Sequence, residues 1–325
     1  MGIPLKIKIL LLLFVASFTG VAQSEKFFIP FSSRLLLNPS FAGLDKSTTV
    51  WTGFQVNSLS EKTIYNQYSL TYDYYSQEME GGVAFYFQQG LIGKSNINTL
   101  ETGFTLTRHY KANKALLIPS LNINLQFATK QWYVQFIDQI LNKQFTPPSP
   151  PGYDFARYAR IKPRAGLLYS SDFYKIGLSA LVPLGINISD EENELGLNDP
   201  VYVFHFSRLS GGLRKGLVSK PFKSSPQLIV LYAKNVFVTR AALHFEEVYR
   251  TYSVFAQNNF TAGLHSIGGT FGWKFDYLRI NTAVGARLPY ISENVSFFGE
   301  ISLQLRIPAV YYSKKNPWKP KTKLF

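Results

Sequence analysis

The chain has 325 residues, of which 46% are hydrophobic and only 17% charged, with a net charge of +14 and no cysteine. An aromatic content of 16% excludes an intrinsically disordered chain, and the missing cysteine excludes a disulfide framework, thiolate catalysis, a Cys-ligated metal centre and a lipid-modified N-terminal cysteine. No stretch of the body reaches the ~18 consecutive apolar residues of a membrane helix, so a large soluble all-β protein and a membrane β-barrel remain.

Met1–Ser24 has the organisation of a targeting peptide. Lys6 and Lys8 supply a positive region, Ile9–Val15 a short apolar core, and Gly20-Val21-Ala22 a small-residue cleavage site. Cleavage is expected after Ala22, with Gln23 the near alternative. Residues 1–22 are therefore read as a signal peptide, and residues 23–46 as an N-terminal periplasmic or luminal segment. Within that segment stands Leu35-Leu36-Leu37-Asn38-Pro39-Ser40-Phe41-Ala42-Gly43. Pro39 fixes its own φ and pushes Asn38 towards extended geometry, while Gly43 permits a positive φ. The leucines and Phe41 need burial. The segment fits a structured element at the barrel's periplasmic mouth or in its lumen, and equally an ordinary turn before the first strand.

From residue 47 to residue 308 the pattern alternates with period two. Fourteen runs are read, near residues 47–59, 62–75, 80–90, 96–110, 115–130, 161–171, 174–187, 200–214, 226–235, 236–247, 249–259, 260–274, 276–290 and 294–308. In the last, Val295, Phe297, Ile301, Leu303, Leu305 and Ile307 share one parity, while Ser296, Glu300, Ser302, Gln304 and Arg306 share the other. A strand sends these two sets to opposite faces. Leu278–Leu288 and Leu117–Ala128 repeat the pattern. A soluble β-sandwich explains alternation equally well. It accounts less well for runs of about ten residues or more, the length that crosses a membrane. It also leaves unexplained the aromatic clusters Tyr65, Tyr68, Tyr72, Tyr74, Tyr75 and Phe85, Tyr86, Phe87, which suit interfacial girdles. Together with the export signal, these features predict an all-β transmembrane antiparallel barrel of about 14 strands in the outer membrane. Its Pro-rich stretch at 146–152 and the acidic stretch holding Asp190, Glu191, Glu192 and Glu194 form long loops opposite the termini.

Arg279, Arg287, Glu300, Gln304 and Arg306 are the lumen-facing candidates, able either to line a pore or to pair and plug it. Residues 309–325 form a basic tail whose Lys314, Lys315, Lys319, Lys321 and Lys323 suit an acidic periplasmic protein surface, an anionic phospholipid headgroup or plain solvation. Pro317 and Pro320 disfavour a helix there. Nucleic acid is not an expected partner of an exported barrel. His109, His205, His244 and His265 lack metal-ligand spacing, and His244 with Glu246, Glu247 and Arg240 reads as a polar strand end. No nucleophile elbow, phosphate loop or dinucleotide fingerprint occurs. No catalytic residue, metal or cofactor is expected.

The element Asn38-Pro39-Ser40-Phe41-Ala42-Gly43 resembles the Asn-Pro-Ala-Tyr-Ala-Gly that opens mature proteins of the PorP/SprF family, outer-membrane components of type IX secretion in Bacteroidetes. Asn38, Pro39, Phe41, Ala42 and Gly43 carry the match, with Phe41 for tyrosine. Lys162–Tyr169 and Tyr174–Ser179 are similar to the family's mid-chain glycine-bearing strands. The family's Gln-Trp on the first strand is absent, although Val50-Trp51-Thr52-Gly53 occupies that region, and Pro308–Phe325 extends beyond the last strand. The resemblance implies a non-enzymatic outer-membrane barrel acting in type IX secretion and in surface anchoring of a secreted partner, of which a gliding adhesin would be one kind. It implies contacts with outer-membrane lipid and with periplasmic lipoproteins of the secretion or gliding machinery. The alternative from the residues alone is an outer-membrane porin or hydrophobic-solute transporter.

Overall fold

The computed structural model describes residues 33–60, 63–92, 97–130, 158–182, 184–186, 200–209, 223–234, 236–261, 263–289, 295–308, 311–313 and 316–321. The expected signal peptide, the Pro-rich stretch and the acidic stretch lie outside them, as do Lys314, Lys315 and Lys323.

The strands in chain order are β1 (Ser47–Ser60), β2 (Thr63–Ser76), β3 (Gly81–Ile92), β4 (Ile97–Thr107), β5 (Tyr110–Ala112), β6 (Ala115–Lys130), β7 (Tyr158–Ser171) and β8 (Tyr174–Leu181). They continue as β9 (Leu184–Ile186), β10 (Val201–Arg208), β11 (Lys223–Ala233), β12 (Val236–Glu246), β13 (Arg250–Asn259), β14 (Leu264–Lys274), β15 (Leu278–Pro289) and β16 (Ser296–Pro308). All pairings are antiparallel, and β1 closes on β16 from Ser47↔Pro308 to Asn57↔Phe298. The segments β4 and β5 both pair with β6, and β8 and β9 both pair with β7. Each couple is thus one interrupted strand, and the closed barrel has fourteen staves. All fourteen coincide with the alternating runs. Residues 311–313 and 316–321 (β17 and β18) pair as a separate short hairpin, so the tail begins with local structure. Lys319 and Lys321 lie on its second strand.

Both interruptions face a proline. Pro119 accepts from the Arg108 amide at 3.3 Å, and Pro163 accepts from the Val182 amide at 2.9 Å. The N–H and C=O of a strand residue point to the same neighbour, so neither proline can return the second bond of its pair. The facing chain then leaves the ladder, at Arg108-His109 and after Val182, and His109 donates its amide to Glu80 O at 2.8 Å instead.

Side-chain parity assigns the two faces. Leu121 (71% exposed), Val284 (66%) and Phe297 (66%) point outward with Ile123, Ile301 and Leu303, while Asn122, Asn124, Ala283, Glu300 and Ser302 are buried within. In water such an outer surface would be a large unpartnered apolar patch; in lipid it is solvated. No helix among the described residues is long and apolar enough to cross a membrane; strands do so here. Tyr68, Tyr72, Tyr74 and Phe85 take the outer parity, but Tyr75 and Tyr86 turn inward, so half-buried Tyr75 meets His109 and Tyr86 bonds Glu101 Oε1 at 2.8 Å. The aromatic edge at the end where the chain enters and leaves is instead completed by turn residues Phe173, Tyr249, Phe275 and Tyr277, all exposed.

The turns at 77–80, 113–114, 172–173, 247–249 and 275–277 close hairpins at that same end, as short periplasmic turns do. The connections from β6 to β7 and from β9 to β10 join strand ends on the opposite side. Inside the distal half, one register row reads Phe255↔Gly268↔Gly285↔Phe298. The two rings meet at 5.9 Å above the glycines, where an added Cβ would lie 2.6 Å from Phe255 and 2.3 Å from Phe298. Gly268-Gly269 therefore marks a close contact without a register shift.

Because Val284 faces lipid near the middle of β15, Val284→Arg is expected to destabilise the barrel by about 2–4 kcal/mol in urea titrations in lipid vesicles. The same charge at lumen-facing Asn281 is expected to cost less than half as much.

Candidate functional site

Residues 33–46 are packed inside the barrel, in the half nearest the termini. Arg34–Leu37 form a single helical turn, Asn38 is extended, and Pro39–Phe41 form a 3₁₀ turn. Extended geometry at Asn38 follows from the proline after it. It lets the Asn38 side chain cap the second turn by accepting from the Ser40 amide at 2.9 Å. The same side chain donates from Nδ2 to Leu178 O at 3.3 Å. Asn38, Pro39, Ser40, Phe41 and Ala42 are all buried.

The wall that receives this segment is built from glycine-bearing strands. An added Cβ on Gly166 would lie 2.6 Å from Asn38 Oδ1 and 2.7 Å from Ser40 Oγ, so only glycine leaves the segment room there. Gly43, at φ +70°, lies so close to Gly82 that a Cβ on either would strike the other's backbone. Beside Gly166, Arg164 donates from Nη1 to Leu36 O at 3.0 Å and from Nη2 to Leu37 O, and it reaches Ser179 Oγ at 2.9 Å. The last carbonyls of a helical turn have no partner within it, and one guanidinium fork satisfies two of them. Ser40 Oγ and Ser120 Oγ bond at 2.8 Å. Ala42 O accepts from Thr107 Oγ1 at 3.0 Å and lies 3.2 Å from His109 Nε2. The Gly43 amide donates to Asp73 Oδ1 at 2.6 Å.

Apolar contacts complete the seat. Phe41 packs on Ile118 and Leu168 and meets His205 edge-on at 5.4 Å. Leu37 joins the apolar inner wall of β10, β11 and β12 through Val203, Ile229 and Leu231. Leu35 packs with Ala42 and Ala84. The lumen is thus not uniformly polar: part of its wall is shaped for this segment.

Beside the segment remains a cavity of about 450 Å³. It reaches the terminus-side end, where Phe275, Asp276 and Tyr277 border it, and Arg34, Lys175, Arg240 and Asp45 also line it. Of the lumen-facing candidates, Arg279, Glu300, Gln304 and Arg306 line this cavity. Arg287 stands apart in the distal half, donating to Asn57 Oδ1 at 2.8 Å with its guanidinium 5.6 Å above the Phe298 ring. Arg306 ties the segment to the last strand, donating to Asp45 O and to Ser47 Oγ, both at 3.1 Å. Burial alone would raise the Asp45 pKa, yet the charges of Arg34 and Arg306, with Lys175 and Arg279, hold it below the ordinary carboxylate value. His244 and Glu246 face the cavity, but Glu246 is engaged by Lys274 and lies 4.0 Å from Arg279, and Glu247 sits in the turn. Among the described residues no group of His, Cys, Asp and Glu is placed to hold a metal.

Arg164, Thr107 and Asp73 complete the site without having been singled out in the sequence, and His109, weighed there only as a metal ligand, joins them. Arg164 carried a signal: it stands two residues before Gly166 on the lumen-facing parity, a cation beside a gap. Trp51 is also buried inside the lumen, its ring lying over Gly53.

The family described as "Type IX secretion system membrane protein PorP/SprF" matches residues 20–235, about two thirds of the chain. The match spans both the N-terminal segment and the strands that receive it. No curated protein matches the chain. Among solved structures, the toluene transporter TbuX of Ralstonia pickettii aligns at 11% identity and TM-score 0.46, covering 84% of this chain and 93% of its own. Omp33 of Acinetobacter baumannii aligns at 7% identity and TM-score 0.44, covering 80% and 99%. A KdgM porin aligns at 6% identity and TM-score 0.38, covering 79% and 98%.

Two substitutions should unseat the segment while leaving the barrel folded. Gly166→Val pushes Asn38 and Ser40 off the wall, and Asn38→Ala removes the cap, a loss of about 1–2 kcal/mol. In limited proteolysis of the folded protein, both variants are expected to be cleaved within residues 33–46 severalfold faster than wild type.

Proposed function

The chain belongs to the PorP/SprF family of type IX secretion system membrane proteins, and from that premise we propose that it is a non-enzymatic outer-membrane anchor serving the export and surface retention of a secreted partner. Outer-membrane placement follows from the family and from the closed, apolar-faced barrel. The observation that carries the finer reading is the seating of the Asn38–Gly43 element in the proximal lumen. A chain segment of this kind, held by buried polar bonds on several strands, suits a barrel whose task is docking more than one whose task is free passage.

In this reading the end opposite the termini engages the exported protein, an adhesin of the gliding type being one candidate. The terminus-side mouth faces periplasmic lipoproteins of the machinery. The rival reading is a porin or hydrophobic-solute transporter, supported by the cavity beside the segment.

Planar-bilayer recordings and a deletion strain separate the two. The anchor reading expects no stable conductance from the purified protein. It also expects loss of a surface protein from deleted cells while their permeability to small solutes stays unchanged. Stable, solute-selective pores together with an intact cell surface would overturn it in favour of the transporter.

A further inference from the structure

Among the described residues most arginines of the barrel wall point inward, but Arg108, Arg208 and Arg250, all at the terminus-side edge, take the outer parity, and the first two stack on tyrosines. Arg108 follows Phe104 and Leu106 on the outer parity and precedes Tyr110. Its guanidinium lies 5.7 Å above the Tyr110 ring, bent away from the apolar belt and towards the turn. Arg208 ends β10 after Phe204 and Phe206 on the same outer parity, and its guanidinium lies 5.8 Å above the Tyr174 ring. The two stacks flank one continuous sector. Tyr110 pairs with Leu117, Leu117 with Tyr169, Tyr169 with Ile176 and Ile176 with Phe206, and nearly all of this row is exposed.

The charge is concentrated at one flank. The hairpin of β5 and β6 adds exposed Lys114 beside Arg108, in a turn with Asn113 at φ +53°, whereas Lys111 pairs with Leu116 on the inner parity. Among the described residues, Arg108, Lys111, Lys114 and Arg208 make no ion pair. A guanidinium on the lipid-facing side of a barrel is costly unless it reaches the interface and finds an anion there. The anion at that depth is the phosphate of a phospholipid headgroup, and stacking on tyrosine holds the cation in place to meet it.

We propose that this sector binds an anionic glycerophospholipid of the periplasmic leaflet. Arg108 and Lys114 engage its phosphate, Tyr110 positions Arg108, and Arg208 on Tyr174 forms a second, weaker contact. The outer parity favours a lipid over a soluble acidic protein, because the row between the stacks is the surface that hydrocarbon covers. A barrel with preferred lipid contacts on one flank sits in a defined rotational setting among its partners.

The test is native mass spectrometry of the full chain released from micelles holding equal amounts of phosphatidylglycerol and phosphatidylcholine. Wild type is expected to retain phosphatidylglycerol preferentially. The preference should fall about fivefold in Arg108→Gln and in Lys114→Gln, and less in Arg208→Gln. Lys234→Gln, at the opposite end, should leave it unchanged. Retention of the folded barrel is checked by resistance to unfolding in cold SDS, and Lys114→Gln decides should Arg108→Gln not fold. Equal retention of both lipids by wild type, or an undiminished preference in Arg108→Gln, overturns the proposal. So does displacement of the lipid by millimolar inorganic phosphate, which marks a site for the free ion. Variants that lose only capture of an acidic periplasmic protein, with lipid preference intact, overturn it as well.

Discussion

Hydrocarbon offers no hydrogen-bond partner, so each backbone N–H and C=O within the bilayer must be satisfied by the chain itself. A sheet meets that demand only by closing, and here closure is the ladder of β1 with β16. Once the sheet is closed, period two does the rest: one parity is dissolved in lipid and the other is confined to the lumen. The Pro119 and Pro163 positions show how strictly the ladder is enforced. Where a proline withholds one donor, the facing strand breaks, and at one of the two breaks the His109 amide turns to Glu80 O while its side chain, on the inner parity, meets Ala42.

A lumen bounded by fourteen strands is too wide to be filled by wall side chains alone. The polar inner parity therefore meets a further chain segment, and residues 33–46 supply it. Their fit depends on subtraction as much as on attraction. Gly82 and Gly166 clear the space, Arg164 satisfies carbonyls that a short helical turn leaves open, and Leu37 and Phe41 bury apolar surface that would otherwise contact water. The charged residues of the cavity then face the terminus-side mouth. The outer edge of that mouth, with its tyrosine-stacked arginines, faces the leaflet instead.

Much of this was legible in the residues. Alternation at Val295–Ile307 and Leu278–Leu288 has a direct physical reading, since only a strand separates side chains by odd and even number. The Asn38–Gly43 element was visible as a proline-fixed, apolar-flanked segment, which read equally as an ordered piece of the mouth or lumen and as an ordinary turn before the first strand. Two things were not legible. Tyr75 and Tyr86 look like girdle residues by type and lie inward by register, a distinction that shifts with one residue of slippage. The partnership of Arg164 with Leu36 and Leu37 joins positions more than a hundred residues apart, and no local pattern encodes it.

The sequence by itself determined an all-β chain with a greasy parity and a polar one, because period and hydrophobicity are local properties of consecutive residues. It also showed glycines inside the alternating runs. Only the tertiary structure decided what those glycines are for. Closing the sheet brings Gly82, Gly166 and Arg164 round a common space, and the N-terminal segment occupies it because the barrel's curvature, not any run of residues, creates the gap.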